Sequence, residues 1–170
     1  LFTSCATLTP EQKAAKEAQK TIEARQDSFS HDIAVKALND KDFVLEADRL
    51  IFKRGRPAYV SSVTNFISSV NGTTTVQVAP FNGGGPNGVG GVTVEGKASN
   101  IKVSEEKNGS YTLSMSVIGN GISAVISITV IGGTNRATAV VTPNFNSERI
   151  TLEGVLHPAS ASSTYKGRSF

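Results

Sequence analysis

The cysteine at position 5 is the residue whose surroundings specify a covalent reaction. The stretch 2–5 reads Phe-Thr-Ser-Cys, and an apolar residue, two small residues and a cysteine form the pattern that lipoprotein signal peptidase reads. The peptidase cleaves before the cysteine, whose thiol carries a diacylglycerol. We therefore predict that Cys5 is lipidated and that residues 1–8 are the end of a signal peptide with its lipobox. Because Leu1 is not methionine, we expect this signal peptide to begin upstream of it.

Two other interpretations of Cys5 stay open. Ordinary signal cleavage after Ala6 fits a small-x-small rule and would remove the thiol, whereas a buried structural cysteine would need no processing. Because the chain has one cysteine, no internal disulfide is possible and folding stability must come from the core. The first two interpretations export the protein, and we expect a periplasmic protein or an outer-membrane-anchored lipoprotein.

A glycine-rich stretch at 82–91 is the second candidate site. It contains a formal Gly-x-Gly-x-x-Gly match, but a dinucleotide fingerprint must precede a helix, and here the strand-like sequence 92–96 follows. Two interpretations remain: a structured loop whose backbone amides contact a ligand or partner, or an architectural crossover at the mouth of a barrel. The candidate binding residues are Asn82, Gly83, Gly84, Gly85, Pro86, Asn87 and Gly88.

A basic turn lies between the first two predicted strands. Lys53, Arg54 and Arg56 fall within five residues that end at Pro57. Such a cluster can hold an anion, a lipid headgroup or an acidic partner, because guanidinium and ammonium groups form charge-assisted hydrogen bonds. A solvated hairpin is the alternative.

Catalytic chemistry has weak support in this sequence. Hydrolytic carboxylate pairs can be distant in sequence, so acidic residues in strands are candidates, with solvent-facing or salt-bridged carboxylates as the alternative. His31 and His157 are isolated from each other, and a metal needs clustered donors. We predict no catalytic residue, no metal and no cofactor, and we lean towards a protein that is not an enzyme. The strand carboxylates are Glu46, Asp48, Glu95 and Glu153.

Composition limits the class of protein and its partners. The 170 residues suit one domain with an appendage, and 38% hydrophobic with 18% charged residues is typical of a globular chain. The net charge of +3 comes from scattered lysines and arginines, and aromatic residues make up only 6%. Nucleic acid is therefore an unexpected partner. No run of eighteen apolar residues exists, so we expect contact with a membrane only through a lipid anchor.

The first part of the chain predicts a helix. Thr9, Pro10 and Gln12 have the spacing of a capped helix start, and Ile22 is the one large apolar residue in 10–28. We interpret 9–28 as a helical stalk about 25 to 30 Å long, with a disordered tether as the alternative. A following helix over 30–39 has apolar residues at helical spacing, and this face is expected to dock on the domain. Its residues are Phe29, Ile33, Ala37 and Leu38.

From residue 43 onward the sequence alternates between apolar and polar residues, with glycine and asparagine turns. This pattern predicts a mainly β domain over 29–157: an antiparallel meander of eight strands that forms a small barrel or a flattened barrel-like sandwich. The docking helix is expected to plug one end, and the tail 158–170 to be flexible. An outer-membrane barrel is disfavoured because the second face is Ser and Thr and tryptophan is absent. The predicted strands are 43–52, 58–70, 73–79, 92–103, 110–118, 122–131, 136–142 and 149–156.

Three stretches, 43–48, 81–96 and 143–154, resemble domain of unknown function family 4251. The middle one reads Phe-Asn-Gly-Gly-Gly-Pro-Asn-Gly-Val-Gly-Gly-Val-Thr-Val-Glu-Gly. This family occurs as exported proteins and lipoproteins of Bacteroides-type Gram-negative bacteria, and the resemblance covers about 29–156. It implies export and supplies no activity, substrate or catalytic residue. In that bacterial group, acidic residues just after the lipidated cysteine are associated with surface display, and 6–9 has none, which favours the periplasmic face.

The sequence therefore predicts an exported, lipid-anchored envelope protein with a non-enzymatic module that binds a small ligand or an envelope protein. The alternative is a hydrolase of envelope or dietary polymers that uses the strand carboxylates. A third hypothesis is a structural envelope component that docks through the stalk.

Overall fold

A computed structural model describes residues 9–55, 57–79, 91–144 and 149–167. In this part of the chain one α-helix precedes nine strands and a short 3-10 turn. The elements are α1 (Pro10–Asp40), β1 (Phe43–Phe52), β2 (Pro57–Tyr59), β3 (Phe66–Val70), β4 (Thr73–Val78), β5 (Val92–Glu105), β6 (Tyr111–Gly119), β7 (Ile122–Val130), β8 (Arg136–Pro143), β9 (Ile150–Pro158) and the turn Ala159–Ala161.

Local sequence determines both ends of α1. The Thr9 hydroxyl accepts a hydrogen bond from the amide of Gln12, and the Gln12 side chain accepts one from the amide of Thr9, so the predicted capping box is formed. At the other end Lys41 adopts a left-handed conformation with φ of 59°. The two predicted helical stretches are one continuous helix of 31 residues, about 46 Å long at 1.5 Å per residue.

Only the last turns of α1 pack on the β domain. Ala34, Ala37 and Leu38 are buried and join the core. The docking face was therefore predicted correctly for Ala37 and Leu38 but wrongly for Phe29 and Ile33, whose side chains are 67% and 37% exposed. At about 100° per residue, the buried side of α1 is centred near Ala34 and Leu38, roughly 100° and 140° around the helix from Ile33. Ala37, about 40° from Ile33 and one turn further along the helix, lies at the edge of the buried side.

The strands close into an antiparallel barrel, as predicted. Eight of the nine described strands follow one another around the barrel in the order β1, β3 to β9, and β1 pairs with β9 to close it. The predicted strand 58–70 is divided into β2 and β3 by a turn at 61–65. The start of β1 pairs with β3 and its later part with β2, which is the extra strand.

The pairing of β1 with β9 is interrupted by a register shift. The register shifts between Ala47 and Arg49, opposite Gly154. A Cβ atom at Gly154 would lie 1.9 Å from the carbonyl oxygen of Glu46, so only glycine allows this approach of the two backbones. This close approach gives a structural reason for the glycine in the 143–154 stretch.

The interior of the barrel is filled by apolar side chains, and α1 contributes to it. Leu38 lies in the same buried cluster as residues from seven of the strands, so the helix closes one end of the barrel. Within the described ranges, no helix combines the length and apolar composition needed to cross a membrane. Fully buried members of the core include Leu38, Phe43, Leu45, Leu50, Ile67, Leu113, Ile126, Ile128, Leu152 and Leu156.

Candidate functional site

The strand directions give the barrel two different ends. The end that α1 closes, here the helix end, carries the connections at 71–72, 106–110 and 131–135. The opposite end, here the loop end, carries the β1–β2 turn, the β4–β5 connection and the β6–β7 turn. The basic turn and the glycine-rich stretch, predicted separately as candidate sites, are therefore attached to the same end of the barrel.

Part of the basic turn is described. Lys53 and Arg54 are exposed and occupy the turn after β1, which closes with a 2.8 Å hydrogen bond from the amide of Gly55 to the carbonyl of Phe52. Gly55 has φ of 73°, the left-handed conformation that glycine adopts without strain. The remaining candidate binding residues and Cys5 lie outside the described residues. They are Arg56, Asn82, Gly83, Gly84, Gly85, Pro86, Asn87 and Gly88.

The two ends of the glycine-rich connection are fixed by the barrel. The buried side chain of Asn65 binds the backbone of Ala79 as a neighbouring strand would. Its Oδ1 accepts from the Ala79 N–H at 2.7 Å, and its Nδ2 donates to the Ala79 carbonyl at 3.3 Å. On the other side, a Cβ at Gly91 would lie 1.7 Å from the carbonyl oxygen of Val78. The connection therefore leaves the sheet at Ala79 and rejoins it at Gly91 in fixed positions. Asn65 is a residue of this site that was not predicted from the sequence.

Two of the four candidate carboxylates form ion pairs with arginines on the outer surface of the barrel. Arg136 donates two hydrogen bonds to Asp48, at 2.7 and 3.3 Å, in a fork geometry. The hydrogen bond with Asp48 raises the pKa of Arg136 above its ordinary value. Glu153 accepts a hydrogen bond from Arg49 at 3.0 Å. These contacts agree with the salt-bridged alternative for Asp48 and Glu153.

Glu46, the third carboxylate, is also on the outer face and connects β1 to the chain after β9. It accepts hydrogen bonds from the Ser162 hydroxyl at 2.9 Å and from the Ser163 amide at 3.1 Å. His157 Nε2 lies 3.3 Å from the same Oε1 atom. The fourth, Glu95, accepts from the Thr75 hydroxyl at 3.1 Å and from Lys166. All four carboxylates therefore bind nearby donors on the outer surface.

Gln77 is an outward-facing residue of β4 that is completely buried. Its Nε2 donates to the carbonyls of Tyr165 at 2.8 Å and Thr64 at 3.0 Å. Its Oε1 accepts from the amide of Gly167 at 2.7 Å and the hydroxyl of Thr93 at 2.8 Å. A side-chain amide has two donors and an acceptor with two lone pairs, so Gln77 makes every hydrogen bond available to it.

The C-terminal segment, residues 159–167, is what covers Gln77. It crosses the outer face of the barrel from β9 past β1 to β4 and β5, with Tyr165 donating a 2.8 Å backbone hydrogen bond to Val63. Val44 and Phe66, which share this outer face, are only 3% exposed. A flexible tail was predicted here; these residues instead make backbone hydrogen bonds to the barrel.

The two histidines occupy different parts of the molecule. His31 Nδ1 donates to the Thr134 carbonyl at 2.9 Å, which links α1 to the turn before β8, and its ring lies 6.1 Å from that of Tyr111. A hydrogen bond with Glu105 raises the pKa of Tyr111, with a smaller contribution from burial. In the part of the chain that the structure describes, no three His, Cys, Asp or Glu side chains come together as a metal site.

The family of the chain follows from comparison with known proteins. The model of the domain of unknown function DUF4251 matches residues 16–156. The chain belongs to the DUF4251 family. This match confirms the resemblance found in the stretches 43–48, 81–96 and 143–154.

A solved DUF4251 structure is similar over nearly its whole length. The crystal structure of a DUF4251 family protein from Bacteroides eggerthii has 48% sequence identity to this chain and a TM-score of 0.71. The alignment covers 86% of this chain and 99% of the Bacteroides protein. No curated protein matches the chain.

Proposed function

We propose that this DUF4251 protein is an exported, lipid-anchored envelope protein whose barrel is a binding module without enzymatic activity. One observation carries the proposal: the two ends of the barrel are unequal. Leu38 and its neighbours close the helix end. The loop end carries the exposed Lys53 and Arg54 and the two ends of the glycine-rich connection, which the barrel holds in place. A rigid scaffold that presents loops at one end is a common arrangement for binding.

The exposed part of α1 supports the anchoring half of the proposal. Residues 10–29 are all exposed in the part of the chain that the structure describes, so they add length without adding to the core. At 1.5 Å per residue this part is about 30 Å long. It begins at Pro10, five residues after Cys5, where a spacer between a lipid and a folded domain has to begin.

The strand carboxylates support a binding module over a hydrolase. A glycosidase needs two carboxyl groups that flank one bond of the substrate, with the acid and the base free to act on it. Asp48 and Glu153 are bound by arginines on the outer surface, and Glu46 is bound by the C-terminal segment.

Mass spectrometry of the mature protein tests the anchor. The protein is to be expressed with its own complete leader in a Bacteroides host, and we expect the mature chain to start at a diacylated Cys5. Cys5→Ser should remain unprocessed or become soluble. A mature amino terminus beyond Cys5, or an unmodified cysteine, would contradict lipidation.

A charge-reversal pair tests the binding half. The protein is to be used as bait in detergent-solubilised envelope from the same host, followed by mass spectrometry of bound proteins and small molecules. Lys53→Glu with Arg54→Glu should lose a bound component, whereas Lys13→Glu with Lys16→Glu, the same charge change on the exposed part of α1, should keep it. Equal recovery from both variants would exclude the basic turn as part of the site.

A further inference from the structure

The exposed part of α1 carries an apolar stripe that the barrel leaves uncovered. Ile22, Phe29 and Ile33 are 51%, 67% and 37% exposed. At about 100° per residue these three side chains lie within roughly 40° of one another around the helix, and Ala15 and Ala18 continue the same line. We call these five residues the α1 stripe. A lone exposed apolar residue is ordinary, but a line of them on one helix face indicates a contact surface.

The stripe is accessible while the barrel is docked. The docked side of α1 is centred near Ala34 and Leu38, about 100° and 140° around the helix from Ile33, and its edge at Ala37 is about 40° from Ile33. The barrel therefore lies mainly on the side of α1 opposite Ile22 and Phe29, which leaves these two side chains open to a second helix.

The charges beside the α1 stripe allow two copies of the stripe to pair opposite charges. Arg25 and Asp32 are both exposed and lie on the same edge of the stripe, four residues before and three residues after Phe29. In an antiparallel helix pair with its two-fold axis near Phe29, the Arg25 of each copy lies opposite the Asp32 of the other. The same axis brings Ile22 of one copy to within about one turn of Ile33 of its partner.

A parallel pair has no such match. In parallel helices, the edge of the stripe that carries Arg25 and Asp32 meets the other edge of the partner stripe, where the neutral Gln19 and Gln26 lie. Opposite charges then do not meet. The positions of the charges therefore select the antiparallel orientation.

We propose that two copies of this chain associate through their α1 stripes as an antiparallel pair, with Phe29 against Phe29 and two flanking Arg25–Asp32 ion pairs. This interaction is separate from the loop end and goes beyond the proposed binding function. An antiparallel pair places the two Thr9 caps at opposite ends. If Cys5 anchors both copies in one membrane, α1 lies along the membrane surface and connects two barrels.

Sedimentation velocity of the full chain with Cys5→Ser, over a concentration series, tests the association. We expect a dimer that Phe29→Asp converts to a monomer. Tyr59→Asp is the matched control, because Tyr59 is an 83% exposed aromatic residue on β2, away from the stripe. A wild-type monomer at every concentration, or a dimer that survives Phe29→Asp, would overturn the proposal.

Charge reversal tests the orientation. Arg25→Asp alone and Asp32→Arg alone should each raise the dissociation constant about five- to tenfold, because each creates two like-charge contacts where there were two exposed ion pairs. The double variant should return the constant to within about twofold of the original, since it restores both ion pairs with exchanged partners. Single variants that bind normally, or a double variant as weak as the singles, would exclude this antiparallel register. Unchanged circular dichroism verifies that each variant is folded.

Discussion

The two extensions of the barrel, the exposed part of α1 and the C-terminal segment, differ in what satisfies their backbones. Residues 10–29 form regular helical hydrogen bonds and do not pack on the barrel. Residues 162–167 have no regular secondary structure, yet they bind to Glu46, Val63 and Gln77. A helix satisfies its own amides and carbonyls, whereas an extended segment must find partners elsewhere. Periodicity in a sequence therefore reveals the first kind of extension and misses the second.

Substitution at Leu38 should have the largest effect on the free energy of unfolding. Comparison with a substitution at Ile22 should distinguish the docked part of α1 from its exposed part. Leu38 is fully buried in the barrel end, so Leu38→Ala should reduce the free energy of unfolding by about 2 to 5 kcal/mol. Ile22→Ala, in the exposed part of the same helix, should change it by about 0.5 kcal/mol or less. Urea denaturation at low protein concentration measures both. Equal losses would show that the exposed part also contributes to the folded core.

Substitution at Gln77 tests how firmly the C-terminal segment is held. Gln77→Ala removes four hydrogen bonds and should destabilise the protein by about 2 to 3 kcal/mol. Thr64 and Thr93 lose a buried partner, whereas the C-terminal segment can form hydrogen bonds with water instead. The amides of Tyr165 and Gly167 should then exchange hydrogen much faster, as measured by NMR.

The matched control is Gln19→Ala on α1, where the side-chain amide binds Glu23 at 2.9 Å in full exposure. It should cost about 0.5 kcal/mol or less. Unchanged exchange at Tyr165 in the Gln77→Ala variant would contradict the role assigned to this side chain.

Removal of the helix cap should have a local effect only. Thr9→Ala deletes the hydroxyl that accepts from Gln12 and should weaken the first turn of α1 by about 1 kcal/mol. Since residues 10–29 do not pack on the barrel, the free energy of global unfolding should stay unchanged. Hydrogen exchange at 10–13 should quicken, whereas Thr21→Ala should leave these amides as they are. A lower midpoint of global unfolding would indicate coupling of the cap to the core.

The smallest predicted effect is on the titration of Tyr111. Its pKa is raised because Glu105 accepts its hydroxyl hydrogen, so the folded protein favours the neutral phenol. This contribution is complete below the ordinary tyrosine pKa of about 10 and is lost as the pH rises through the higher folded value. Glu105→Ala should lower the pKa of Tyr111. Ultraviolet absorbance of tyrosinate follows the titration, and Tyr111→Phe identifies the signal of Tyr111. An unchanged titration would exclude Glu105 as the cause.

Much of the barrel was predictable because each face of its strands has one environment. The alternation in 111–117 and 122–130 gave β6 and β7 almost to the residue, and glycine and asparagine marked their turn. The predicted strand 58–70 failed at 61–65, where the Asn65 side chain replaces strand pairing by binding Ser61 and Ala79. A side-chain amide that substitutes for a backbone pair leaves no periodic signal.

The candidate site was predictable only in its location. The basic turn and the glycine-rich stretch were found from residue types, and the strand order attaches them to one end of the barrel. Gln77 was missed because a polar residue at an outward strand position is expected in water, and its cover lies 88 residues later in the chain. Phe29 and Ile33 were assigned to the docked face because helical spacing shows that a face exists without showing what covers it.

The closure of β1 on β9 leaves β2 as the edge strand of the described sheet. β2 has three residues, and the first is Pro57, which lacks an amide hydrogen to donate to a further strand. Growth of fibrils by strand addition needs a longer unblocked edge. The later part of β5 is such an edge, because residues 98–105 pair with β6 and have no partner among the described strands on their other side. Exposed charged residues there, Lys102 and Glu105, and the register shift between Ser99 and Lys102 oppose the addition of a strand from another copy.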